Sequence, residues 1–133
     1  MKKSIIYLAV GLILAIVIYA FYEYNRGPAS LDGKSSDMSI SAKELLKDFQ
    51  QDEKLANSKY LDKVILVTGA IAELKKDEVP PSVILETGDA LSRVVCEMER
   101  LPDALSLGEA VSIKAKCTGF LMDVVLVQGV IAE

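Results

Sequence analysis

Residues 63–74 read KVILVTGAIAEL, and this stretch decides the fold. It is long and rich in Val and Ile, side chains that fit a pleated, half-buried surface. Gly69 sits at its middle, and a glycine inside a strand marks a bulge or sharp bend. The stretch therefore predicts a long first strand, kinked at Gly69. Downstream, the turn-rich residues 75–81 lead to a second strand at 82–87 (SVILET). A third follows at 93–99 (RVVCEME), and residues 101–108 connect it to the next. Residues 109–118 (EAVSIKAKCT) alternate, with Val111, Ile113, Ala115 and Cys117 inward and Ser112, Lys114 and Lys116 outward. Residues 119–121 turn the chain, and the nearly all-apolar 122–132 (MDVVLVQGVIA) form a fifth strand.

Five strands, the first long and kinked, give a mainly β fold and suggest a small closed barrel of the OB type. Closure removes the apolar edges that such strands would otherwise expose. An open five-stranded sheet covered by a helix is the alternative. Upstream, residues 41–58 predict that helix. Ser41 is a good N-cap and Glu44 lies three residues on, the spacing of a capping box. Ala42, Leu45, Leu46, Phe49 and Ala56 fall near one face, which implies packing on the barrel.

The chain begins differently. After Lys2 and Lys3, residues 5–22 run without a charge. At a helical rise of about 1.5 Å each they extend roughly 27 Å, close to a hydrocarbon core of about 30 Å. Tyr19, Phe21, Tyr22 and Tyr24 cluster at the far end, where amphipathic rings favour the interface. The two lysines mark the cytoplasmic side, so the following domain is expected outside the cytoplasm, in the periplasm, on a single-pass anchor. A cleaved signal peptide is the rival, but its apolar core is shorter and the nearest site, Ile18-Tyr19-Ala20, fits poorly. The expected organisation is an anchor over 1–24, a flexible Gly/Pro/Ser linker over 25–39 and the barrel domain over 40–133.

Composition narrows the chemistry. Beyond Arg26 the chain holds 12 Lys and Arg against 18 Asp and Glu, a net charge of −6 that repels phosphate backbones. It has no histidine, the commonest metal ligand and neutral-pH base. The acidic residues show no calcium-loop spacing, and no nucleophile motif, phosphate loop or dinucleotide fingerprint is present. No catalytic, cofactor or metal residues are expected, and the chain is not expected to be an enzyme.

The residues also resemble a known family. Ser41-Ala42-x-Glu44-Leu45, then Ala56 and Tyr60, then Val64-Ile65-x-Val67-Thr68-Gly69 begin the pattern. Val95-Cys96, Leu107-Gly108-Glu109-Ala110-Val111, the run KAKCTG at 114–119 and Asp123-Val124 continue it. This is similar to the tRNA_anti-like family of OB-fold proteins, over roughly residues 40–132. The resemblance implies the fold and an N-terminal signal or anchor. Some members have a further cysteine in the last strand, where this chain has Gln128-Gly129, so a shared three-cysteine site is not implied.

Three sets of residues remain as candidates. Cys96 shares a face with Val94 and Met98, and Cys117 also points inward. Outside the cytoplasm the two could form a disulfide closing about 20 residues. Two separate buried thiols are the alternative. Lys75 and Lys76, in the loop after the first strand, and Phe120, Leu121 and Met122, in the last turn, are the candidate partner contacts. The turn is also readable as folded back over the barrel end. The expected activity is that of a membrane-held interaction module for an envelope protein or glycan. Single-stranded nucleic acid is the alternative ligand, disfavoured because the five strands hold no Phe, Tyr or Trp for base stacking.

Overall fold

A computed structural model describes residues 1–26 and 29–132. Gly27 and Pro28 of the expected linker and Glu133 at the end of the expected domain lie outside them.

Helix α1 (Lys2–Asn25) is long and apolar enough to cross a membrane, and none of its residues is buried. The folded domain follows as β1 (Met38–Ser41), α2 (Ala42–Gln51), α3 (Glu53–Tyr60), β2 (Val64–Lys75), β3 (Ser82–Leu85), β4 (Val94–Met98), β5 (Ala110–Phe120) and β6 (Val124–Ile131). Strands β2, β3, β4, β6 and β5 pair in that order, and β2 returns to β5, which closes a five-stranded barrel. β4 and β6 run parallel; the other barrel pairs are antiparallel.

The long β2 serves both halves of the barrel. Its first half pairs with β5 from Val64↔Lys116 to Ala70↔Ala110. Its second half pairs with β3 from Ile71↔Leu85 to Lys75↔Ser82, with a register shift between Ile71 and Glu73. The irregularity thus falls just after Gly69 rather than on it. Gly69 instead lets a helix approach: a Cβ there would stand 3.3 Å from the Cβ of Ala42 and 3.5 Å from that of Leu85.

The expected single helix over 41–58 is two helices. Asp52 breaks it with an extended backbone (φ −155°, ψ 93°), ending α2 and capping α3, where its carboxylate accepts from the Leu55 N–H at 3.0 Å. Aspartate readily makes this local bond in place of a helical one. Ser41 caps α2 as expected, its hydroxyl accepting from the Glu44 N–H at 3.2 Å. Ala42, Leu45, Leu46 and Phe49 form the buried face of α2 and join Ala56 and Tyr60 of α3 in the barrel core. Strand alternation supplies the rest, including Val83, Val94, Cys96, Met98, Ile113, Ala115, Cys117, Val124 and Leu126.

The expected linker needs correction. β1 lies partly within it and pairs parallel with β2, Met38↔Ile65 to Ser41↔Thr68. Before that, Leu31 is only 2% exposed. Its N–H donates to Glu99 Oε1 at 3.3 Å, and Lys114 Nζ donates to the carbonyls of Asp32 (3.0 Å) and Lys34 (2.6 Å). Glycine, serine and aspartate made this segment look solvated; one leucine and one lysine from a distant strand hold it down.

Candidate binding surface

The barrel's ends carry the candidate contacts, and they separate them. Lys75 and Lys76 stand where β2 leaves the barrel toward β3. Phe120, Leu121 and Met122 stand at the far end of β5, past the start of β2. No single ligand site joins the two groups. Lys75 is paired with Glu78 at 3.2 Å, which weakens it as an anion ligand.

The β5–β6 turn is divided. Phe120 folds back over the barrel end and stacks on Phe49, ring centroids 5.8 Å apart; Phe49 in turn lies 5.9 Å from Tyr60. Leu121 and Met122 point outward, 93% and 75% exposed. Arg93 ties this turn to the β3–β4 loop: its N–H donates to Asp123 Oδ1 at 2.7 Å, and its carbonyl accepts from the Val124 N–H. Exposed Leu91 lies in that loop.

Proteins with this barrel topology bind oligonucleotides and oligosaccharides on the outer face of the second and third barrel strands. Those are β3 and β4 here. Register places Ser82 beside Glu97 and Ile84 between Glu73 and Val95 on this face. The guanidinium of Arg93 bonds Glu73 at 3.1 Å. Charges of both signs alternate with aliphatic side chains, and the strands contribute no aromatic ring to the face. The surface therefore lacks stacking platforms and a continuous cationic track.

A second concavity, about 520 Å³, runs over the outside of β4, β6 and β5. Met98, Val127 and Pro80 supply its apolar lining, with Asp62, Glu97, Glu99 and Lys116 among the charged residues. Lys116 lies 3.7 Å from Asp62. A bulge shapes this groove: Gln128 takes a left-handed backbone (φ 57°), and Gly129 follows. A Cβ on Gly129 would come within 2.7 Å of Met98 Sδ and 3.1 Å of the Glu97 carbonyl, so any larger residue there must displace the Met98 side chain and press on the β4 backbone. The sequence reading missed this groove because register shifts between Cys96 and Met98 and between Lys114 and Lys116 create it.

Of the two readings of the cysteines, separate buried thiols is the one found: Cys96 and Cys117 are both free and buried. The reason is register. Each cysteine pairs with Leu126, one from either side, so β6 lies between them. Two strand spacings amount to about 9–10 Å, whereas a disulfide joins Cα atoms about 4.4–6.8 Å apart. Sharing an inward face does not make two strands neighbours. Burial pushes the Cys96 thiol up to about 12 and raises Cys117 as well.

One charged cluster sits where the helices meet. The Tyr60 hydroxyl donates to Asp48, and Lys59 Nζ lies 3.2 Å from the same carboxylate. The Tyr60 bond and then Lys59 hold Asp48 below its ordinary range, while burial and this carboxylate raise Tyr60. The cluster joins α2 to α3.

Barrel closure, strand order and helical plug together define an OB-fold domain. The chain belongs to the tRNA_anti-like family, whose pattern matches residues 1–131. None of the curated proteins matches it. Among solved structures it is similar to a candidate nucleic acid-binding lipoprotein from Klebsiella pneumoniae. That match has 17% identity and a TM-score of 0.54, covering 71% of this chain and 92% of the other. It is also similar to a candidate aspartyl-tRNA synthetase from Leishmania major. There the identity is 14% and the TM-score 0.47, covering 84% of this chain and 24% of the other. At these identities the likeness concerns the fold alone.

Proposed function

We propose that the chain is a non-enzymatic interaction module, held on a membrane by α1, with its barrel outside the cytoplasm and an envelope protein or glycan as ligand. One observation carries the membrane placement in this reading. All of α1 is exposed while the barrel buries a complete core of its own. A helix that is apolar all round is covered by protein or by lipid, and here the domain does not cover it. Lys2 and Lys3 precede the helix, which favours a cytoplasmic N-terminus. The exposed Leu91, Leu121 and Met122 are among the apolar contacts available to a partner.

The test uses Leu121→Cys in the full chain, since the native thiols are buried. A membrane-impermeant maleimide should label it in spheroplasts, and the chain should stay in the membrane pellet at alkaline pH. Labelling only after lysis overturns the orientation; release into the supernatant overturns the anchor.

Single-stranded nucleic acid is a second reading, favoured by the description of the Klebsiella relative. The absence of aromatic rings from the β3–β4 face and the net charge of −6 beyond Arg26 oppose it. Titration with labelled oligonucleotides at low salt, where electrostatic attraction is strongest, decides it. No binding there removes this reading.

A further inference from the structure

We infer that the docked strap at residues 30–34 orients the barrel on the membrane. It sets the end carrying the β2–β3 hairpin against the lipid headgroups and turns the Leu91–Leu121–Met122 end outward. The inference rests on the anchor reading above and adds an orientation and a lipid-facing surface.

The strap begins at one end of the barrel: Ser30 and Asp32 share a depression with Arg100, Pro102, Val130 and Ile131, and Leu31 bonds Glu99. Lys114 then holds Asp32 and Lys34, and the chain reaches the start of β2, where the Asp37 N–H donates to the Val64 carbonyl. The hairpin end is the same end, because the Met98 N–H donates to the Pro81 carbonyl and the Glu99 N–H to Gly129.

Chain length favours this placement. Arg26, next after α1, is five residues from the buried Leu31. At about 3.6 Å per residue they reach at most about 18 Å. The turn with Leu121 and Met122 lies at the other end of β6, an eight-residue strand. At about 3.3 Å per residue that is roughly 25 Å along the strand, and with a barrel-strand tilt of about 35–45° it is roughly 20 Å of height. The five-residue tether must be almost fully extended for the barrel to stand on that turn, whereas it stays slack when the barrel rests on the hairpin end.

The hairpin end also has the chemistry for a lipid surface. Val79 is 98% exposed at the hairpin tip, and Leu107 is exposed in the β4–β5 connection. Exposed Lys76 and Arg100 are outnumbered by Asp77, Glu78, Asp103 and Glu109, which suits zwitterionic rather than anionic headgroups.

The experiment uses the full chain in phosphatidylcholine vesicles, with an environment-sensitive fluorophore on Val79→Cys, Leu121→Cys or Leu12→Cys. With a headgroup spin-labelled lipid, the label at position 79 should lose most of its emission and that at 121 almost none. Equal quenching, or stronger quenching at 121, overturns the inference. An insertion of about ten Gly/Ser residues after Arg26 extends the reach to roughly 50 Å and should bring the two labels toward equal quenching. An unchanged difference overturns the role of the tether. The label at Leu12 reports the anchor separately through an acyl-chain spin label. If it is not quenched, the anchor reading has failed. If it is quenched while 79 and 121 behave alike, only the orientation has failed.

Discussion

Replacing Phe49 with alanine tests whether the helices are part of the barrel's core or an accessory laid against it. Phe49 is buried on α2, between Tyr60 of α3 and Phe120 at the end of β5. Removing a buried phenylalanine costs about 3–5 kcal/mol through lost transfer energy and the cavity left behind. That is a large share of the ~5–15 kcal/mol typical of a folded domain. With a urea dependence of about 1 kcal/mol per molar, suited to a domain this small, the midpoint should fall by roughly 3–5 M. Phe120 is half-exposed, so Phe120→Ala should cost less, about 1–2 kcal/mol. The double variant isolates the stacked pair, whose coupling should be about 0.5–1.5 kcal/mol. The assay is urea unfolding of the full chain in detergent, followed by circular dichroism. If Phe49→Ala costs less than about 1 kcal/mol, or no more than Phe120→Ala, the plug does not carry the core and the reasoning fails.

Three further outcomes follow from the structure. Gly129→Ala should destabilise by about 1–3 kcal/mol, because the new methyl meets Met98 Sδ and the Glu97 carbonyl; an unchanged melting temperature would show that the groove is slack. Without reductant, Cys96 and Cys117 should resist a maleimide in the folded chain and both react once it is denatured; two thiols still blocked after denaturation would contradict the β4–β6–β5 register. Asp48 is held below its ordinary 3.8, so its contribution is complete above that pH and is lost as pH falls through the lowered value. Asp48→Asn should therefore flatten the acid limb of stability measured by urea midpoints, and an identical acid limb in both proteins would remove the cluster's role.

Much of the fold was legible locally. Alternation from Val111 to Cys117 gave the inward face of β5, and the Leu45–Leu46–Phe49 stripe gave the buried face of α2. The Ser41 cap and the apolar run of α1 were equally plain. Each of these depends on residues within a turn or two of one another. The break at Asp52 was missed because an aspartate inside a helical pattern is ordinary, and only the packing of α3 beneath β5 turns the chain there. The candidate contacts were legible as loops but not as neighbours: the basic loop and the apolar turn lie at opposite barrel ends, and only the turn's tip is exposed.

The sequence by itself determined the membrane-length helix, the five strands of the barrel and the inward face of β5, because hydrophobic periodicity is a property of one segment at a time. The tertiary structure decided everything that depends on which strands are neighbours. Leu126 between the two cysteines forbids their bond, and the bulge at Gln128 opens a groove. Leu31 and Lys114, 83 residues apart, convert an apparent linker into a strap. Strand order and register are set by long-range closure of the barrel, which no local pattern encodes.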